Sequence, residues 1–168
     1  MIKSIGDCVV SFDAMKGDLK YWIGMMSGWF DPLHSGHIKM FKDAVSNNER
    51  YLDYLVIVVN DDDFLIRKKW YKFMELEDRM RMVNAVCGCL NETRIIITTI
   101  KGDNMKKALE ILEPRYFMNG GDRNKDNIAE REICEKLWIE MVDNIWWWKE
   151  DSSSDIVWKF MERYWFSL

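Results

Sequence analysis

Short apolar runs alternate with longer amphipathic stretches through most of this chain, and no other feature restricts its fold so tightly. The runs at 23–30, 54–60, 94–100, 116–119 and 139–145 are rich in Ile, Val, Met, Phe or Tyr. Their near-continuous apolar character predicts strands buried on both faces. Helical spacing predicts helices over 36–46, 76–86, 104–112, 128–137 and about 153–165. In the third of these, Met105, Ala108, Leu109, Ile111 and Leu112 share one face, and Pro114 follows as a stop. Strands and helices in turn, joined by short connections, imply right-handed crossovers and a parallel sheet covered on both sides. The expected fold is α/β: a Rossmann-like doubly wound parallel sheet of about five strands with helices on both faces. No repeat, linker or composition break divides the 168 residues. One domain is therefore expected over 22–168, after an N-terminal extension, 1–21, of unknown role.

Charge narrows the partners. There are 24 Lys and Arg against 28 Asp and Glu, a formal net charge of -4, which recommends neither nucleic acid nor an anionic membrane surface. No stretch approaches the roughly 18 apolar residues of a membrane span, and a cytoplasmic location is the expectation. Cys8, Cys87, Cys89 and Cys134 lack the paired spacing of structural zinc sites, since only Gly88 separates Cys87 from Cys89; they read as reduced thiols.

In doubly wound sheets ligands bind beyond the carboxyl ends of the strands, near the point where strand order reverses. The turns to inspect are therefore 29–36, 61–72, 119–127 and 146–154. Both histidines of the chain fall at the first, His34 within it and His37 directly after it. Pro32 fixes φ there, and Gly36 permits close backbone approach at the mouth of the next helix. The spacing His34-x-x-His37 places two imidazoles beside unpaired N–H groups and the positive end of a helix dipole, an arrangement suited to phosphate.

The segment Phe30-Asp31-Pro32-Leu33-His34-Ser35-Gly36-His37 resembles the HxGH signature of the small nucleotidyltransferases, which include cytidylyl- and adenylyltransferases. Three further segments resemble that family in the expected order: Asn60 through Lys69 and on to Arg79, then Asn119-Gly120-Gly121-Asp122-Arg123, then Ser152-Ser153-Ser154. The likeness covers about 23–159 and is greatest to glycerol-3-phosphate cytidylyltransferase and the heptose-phosphate adenylyltransferase domains.

The resemblance implies in-line attack by an acceptor phosphate oxygen on the α-phosphate of a nucleoside triphosphate, with Mg²⁺-bound pyrophosphate leaving and no covalent enzyme intermediate. It puts His34 and His37 on the α- and β-phosphates. Lys68 matches a lysine that holds the reacting phosphates, with Lys69 the weaker candidate. The backbone of Trp29 and Phe30 would pass the nucleotide, with Gly36 at the phosphates and Gly120 and Asp122 near base and ribose. Ser152, Ser153 and Ser154 would cradle the β- and γ-phosphates, with Lys149 supplying charge beside them. The expected reaction moves CMP from CTP to a polyol or sugar phosphate such as glycerol 3-phosphate. AMP transfer from ATP, or a nucleotide-binding module without turnover, are the alternatives. Family members are often homodimers, which is the sole ground for expecting one here.

Other readings compete at each position. The histidines could cap a helix, or bind metal with Asp31 as a third ligand. The serines could be a plain N-cap. Asp61-Asp62-Asp63 reads as a solvated acidic run, and Arg79 as an i, i+4 surface partner of Glu75 outside the site. Tryptophan stands at 146, 147 and 148 where related sequences carry small residues or arginine, and at 70 and 138 where relatives tend to have glycine.

Overall fold

The computed structural model describes residues 3–4, 22–46, 51–90, 94–102, 105–120, 129–143, 145 and 152–164. In chain order its elements are β1 (Lys3–Ser4), β2 (Ile23–Gly28), α1 (Ser35–Ser46), β3 (Tyr54–Asn60), α2 (Asp62–Lys69), α3 (Leu76–Cys87), β4 (Arg94–Ile100), α4 (Met105–Leu112), β5 (Tyr116–Met118), α5 (Arg131–Lys136), β6 (Glu140–Val142) and α6 (Ser153–Tyr164). The strands form one sheet in the order β1-β4-β3-β2-β5-β6, and every pairing is parallel.

The alternation of side chains along the strands sorts the core into two layers. All seven residues of β3 are buried. Tyr54, Val56 and Val58 join Met105, Ala108 and Leu109 of α4 and Ile133 and Cys134 of α5 in one cluster. Leu55, Ile57 and Val59 join Met40, Phe41 and Ala44 of α1 and Met80 and Val83 of α3 in the other. Helices on both faces follow from right-handed crossovers run in two directions: β2, β3 and β4 are laid down one way, and then the chain returns to place β5 on the far side of β2. Strand order therefore reverses at β2. The crevice opens between the carboxyl ends of β2 and β5, whose residues Met26 and Met118 are register partners.

The sequence reading stands as to class and layers, with two differences. Residues Lys3–Ser4 pair with Thr98 and Thr99 and add a sixth strand at the edge, inside the segment read as an extension. The turn expected over 61–72 contains the helix α2. It has little apolar periodicity to announce it, burying only Phe64 and Leu65, and is held by its ends instead. Asp61 caps it by accepting the Phe64 N–H at 2.8 Å and also accepts the Gly102 N–H at 2.7 Å. Asp62 and Asp63 lie in the first turn, and Arg67, Lys68 and Lys69 in the last, each sign matching the helix dipole. Asp61 is accordingly buried and structural rather than solvated.

Burial pushes the thiols of Cys87 up to about 12 and Cys134 up to about 11, the latter helped by Glu130 and Glu135; both are free, as is the exposed Cys89. Among the described residues no helix is long and apolar enough to cross a membrane.

β2 ends where Phe30 turns to φ 51° and folds its ring back over Gly28. A Cβ at position 28 would lie 2.6 Å from that ring, which is fully buried and has no room to withdraw. Gly28→Ala is therefore expected to destabilise the fold by about 1–3 kcal/mol through overpacking, read as an earlier urea midpoint with an unchanged slope.

Candidate active site

The loop after β2 is built on a buried carboxylate. Asp31 is wholly inaccessible, and its two oxygens accept the backbone N–H groups of Phe73 (2.8 Å) and Met74 (2.7 Å). It thus clasps the 29–34 loop to the segment before α3. Asp31 is thereby tied to the backbone at both oxygens, and among the described residues no group of three or more His, Cys, Asp or Glu could hold a metal ion.

α1 begins at Ser35, directly after His34, whose carbonyl accepts the N–H groups of His37 (3.0 Å) and Ile38 (3.3 Å). The two imidazoles stack, with ring centroids 3.9 Å apart and planes inclined at 32°. The Nδ1 of His37 accepts the His34 N–H at 3.3 Å, and the Nδ1 of His34 accepts the Gly36 N–H at 3.2 Å. A neutral imidazole whose Nδ1 is an acceptor carries its proton on Nε2. The backbone therefore fixes both rings in one tautomer, as a pair of Nε2–H donors at the helix mouth. Phe30, fully buried, meets His37 edge to face at 5.0 Å and walls the pair from behind. Burial, with the repulsion that a protonated His34 would add and the charge of Lys69, holds His37 well below the ordinary imidazole value, at about 3.

Lys69, not Lys68, faces this pair. Residues adjacent on a helix point about 100° apart, so α2 separates the two. Lys68 is exposed, with Nζ 5.7 Å from the Phe64 ring centroid, whereas Lys69 is half-buried, with Nζ 4.3 Å from the centroid of Trp29. Burial lowers the Lys69 pKa, with Asp31 opposing and Arg79 adding to the shift. The Trp29 indole also packs against Phe64, and its Nε1 is buried without a hydrogen-bond partner.

Arg79, read from the sequence as a surface partner of Glu75, is completely buried. Its Nη1 donates to the carbonyls of Trp29 (2.7 Å) and Asn60 (2.8 Å), its Nε to Met74 (3.2 Å), and its Nη2 to Asp62 (2.6 Å). The carboxylate of Glu75 instead takes the ammonium of Lys72, which also donates to Asp62 at 3.0 Å. Burial opposes the charge on Asp62, but the bonds from Arg79 and Lys72 outweigh it and hold the carboxyl below its usual range. Arg79 thus joins the ends of β2 and β3, the start of α2 and the approach to α3 at one point.

The serine segment reaches the same loop. Ser152 and Asp155 form a reciprocal cap: the Ser152 N–H donates to Oδ2 of Asp155 and the Asp155 N–H to Oγ of Ser152, both at 3.1 Å. Ser153 is buried and donates its hydroxyl to the Pro32 carbonyl at 3.0 Å, seating the mouth of α6 beside the histidine loop. Ser154 is half-buried at the same end. On the far side of the crevice, Gly120 follows β5 so closely packed that a Cβ would meet Met40 Sδ at 2.5 Å. Asn119 beside it is buried with its Nδ2 unpartnered. Gly36 is buried in the first turn of α1. Asp122, Lys149 and the Trp146, Trp147, Trp148 run lie outside the described residues.

Two helix N-termini, two fixed imidazole donors and one half-buried ammonium therefore converge on the switch point of the sheet. Such a set binds an extended anion and stabilises charge that develops on it.

The sequence model of the cytidylyltransferase-like family matches residues 25–163. The Bifunctional protein HldE of Hyphomonas neptunium is 29% identical over 145 residues, covering 80% of this chain and 27% of that protein. Its namesake from Geobacter sulfurreducens is 28% identical over 142 residues, covering 82% and 26%. The chain thus spans about a quarter of the length of these relatives. Among solved structures, the lipopolysaccharide core biosynthesis protein from Thermoplasma volcanium GSS1 superposes with a TM-score of 0.56 at 25% identity, over 74% of this chain and 97% of that one. A protein with unknown function from Archaeoglobus fulgidus shares the fold, with a TM-score of 0.57 at 18% identity over 77% and 93% of the two chains.

Removing the guanidinium takes a donor from three carbonyls and leaves Asp62 with Lys72 as its remaining cation, so Arg79→Met is expected to cost about 3–5 kcal/mol in urea unfolding. The depressed imidazole sets a pH dependence. As pH falls from about 6.5 toward 3, the unfolded chain takes up a proton at His37 that the native state refuses, so stability is present above that window and is lost on descending through it. Unfolding free energies measured across the window should decline less steeply in His37→Gln than in the unsubstituted chain.

Proposed function

The chain belongs to the cytidylyltransferase-like family of nucleotidyltransferases, and we propose that it transfers a nucleoside monophosphate from the triphosphate to a small phosphorylated acceptor, releasing pyrophosphate. The observation that carries this reading is the stacked His34–His37 pair at the mouth of α1, with both Nδ1 atoms accepting backbone N–H groups, which puts the proton of each neutral ring on Nε2.

In the proposed reaction an anionic oxygen of the acceptor phosphate attacks the α-phosphorus, a new P–O bond forms, and the bond to the pyrophosphate oxygen breaks. The attacking oxygen carries no proton, so no side chain need act as general base. Catalysis is positioning and charge stabilisation. His34 and His37 donate to the α- and β-phosphate oxygens as negative charge moves toward the leaving group, and the Lys69 ammonium adds a cationic contact. Asp31 and Arg79 act through the backbone, fixing the loop that aims the imidazoles. Mg²⁺ arrives with the triphosphate as part of the substrate: the carboxylates of Asp31, Asp61 and Asp62 are already committed to protein donors.

The comparisons bear on the nucleotide and the acceptor. CTP was the first expectation from the motifs. Likeness to HldE and to a lipopolysaccharide core biosynthesis protein, together with the motif resemblance to heptose-phosphate adenylyltransferase domains, favours AMP transfer from ATP onto a sugar phosphate.

Pyrophosphate release should be assayed with each of the four nucleoside triphosphates, against sugar phosphates and glycerol 3-phosphate. One nucleotide and one acceptor class should support turnover, and His37→Ala should lower kcat by about 10²–10³ while circular dichroism stays unchanged. A folded protein silent with every pair, or a variant as fast as the parent, contradicts the proposal.

A further inference from the structure

Trp70 and Trp138 have the backbone conformation of glycine. Trp70 closes α2 at φ 69° and ψ -2°, with its N–H donating to the Ile66 carbonyl at 2.9 Å; Trp138, just beyond α5, has φ 56°. In this left-handed region a Cβ crowds the neighbouring carbonyl, and glycine is the usual occupant at a helix end. A bulky residue persists there when its surroundings hold it in place. Phe30, at φ 51°, meets that condition: its ring is buried over Gly28 and packed on Phe41 and His37.

The two tryptophans have no such support. They are 89% and 90% exposed, so neither indole gains the burial that makes tryptophan useful to a fold. The pattern extends along the chain. None of the five tryptophans among the described residues, of nine in the chain, belongs to the buried core. Trp22 and Trp158 are also exposed, and Trp29 buries an indole N–H without a partner.

We infer that positions 70 and 138 are glycine positions, and that the polypeptide made in its own cell carries glycine there. The codon UGA is read as tryptophan in some genetic codes and as glycine in others, so a single codon assignment accounts for both positions. The inference rests on backbone geometry and burial, independently of the proposed nucleotidyl transfer.

Peptide mass mapping of the protein isolated from the cells that encode it tests this directly. Glycine at 70 and 138 is expected, and tryptophan at either overturns the inference. A second measurement uses the chain as written. Trp70→Gly and Trp138→Gly should each raise Tm by about 2–4 °C, whereas Trp70→Ala and Trp138→Ala, which keep the Cβ and hence the strain, should not reproduce the gain. Glycine variants that melt no higher than the parent, or alanine variants that match them, contradict a glycine requirement at these positions.

Discussion

One buried guanidinium holds the histidine loop in place. Arg79 has no access to water, and a charge there is tolerated only because Asp62 and the carbonyls of Trp29, Asn60 and Met74 surround it. Those partners come from three separate segments, so the same bonds that satisfy the charge also fix the ends of β2 and β3 relative to α2 and α3. Asp31 repeats the device with the opposite sign, giving both oxygens to amides of the neighbouring segment. Between them the two charges leave the 29–34 loop little freedom. The histidines can then be aimed by backbone amides alone.

The topology decides where that rigid loop stands. β2 is the strand at which the sheet reverses its order, so its carboxyl end opens onto a crevice instead of a neighbouring crossover. α1 begins in that crevice, and the Ser153 bond to Pro32 brings α6 to the same place from more than a hundred residues away in sequence. An anion lying there meets two helix mouths, two Nε2–H donors and Lys69. Burial of His37 keeps that ring neutral, so the donor is present without the cost of burying a charged imidazole.

What the sequence disclosed was governed by how local each cause is. β3 and α4 were legible because their burial writes itself as an apolar run or a helical stripe. The histidine pair was legible because both rings of the chain fall within one turn. α2 was not, because its stability comes from an Asp61 cap and end charges, with two buried apolar residues. Missing that helix also hid which of Lys68 and Lys69 is the half-buried one, since the two differ in which way a helix turns them. Arg79 was illegible for another reason. Its partners are mainly carbonyls, which every residue has, and they lie up to 50 positions away. The spacing to Glu75 suggested a surface pair, but that carboxylate binds Lys72.

In the proposed reaction His34 and His37 meet a nucleotide's phosphates through Nε2–H groups whose direction is set by the backbone. Nitrogen NMR of the two imidazoles, recorded as a non-hydrolysable nucleoside triphosphate and Mg²⁺ are added, tests it most directly. Both Nε2 resonances should shift on saturation, and both Nδ1 atoms should be unprotonated at neutral pH before nucleotide is added. Imidazole signals that stay fixed while the nucleotide binds elsewhere on the chain, or Nδ1–H tautomers before its addition, would overturn this role for the pair.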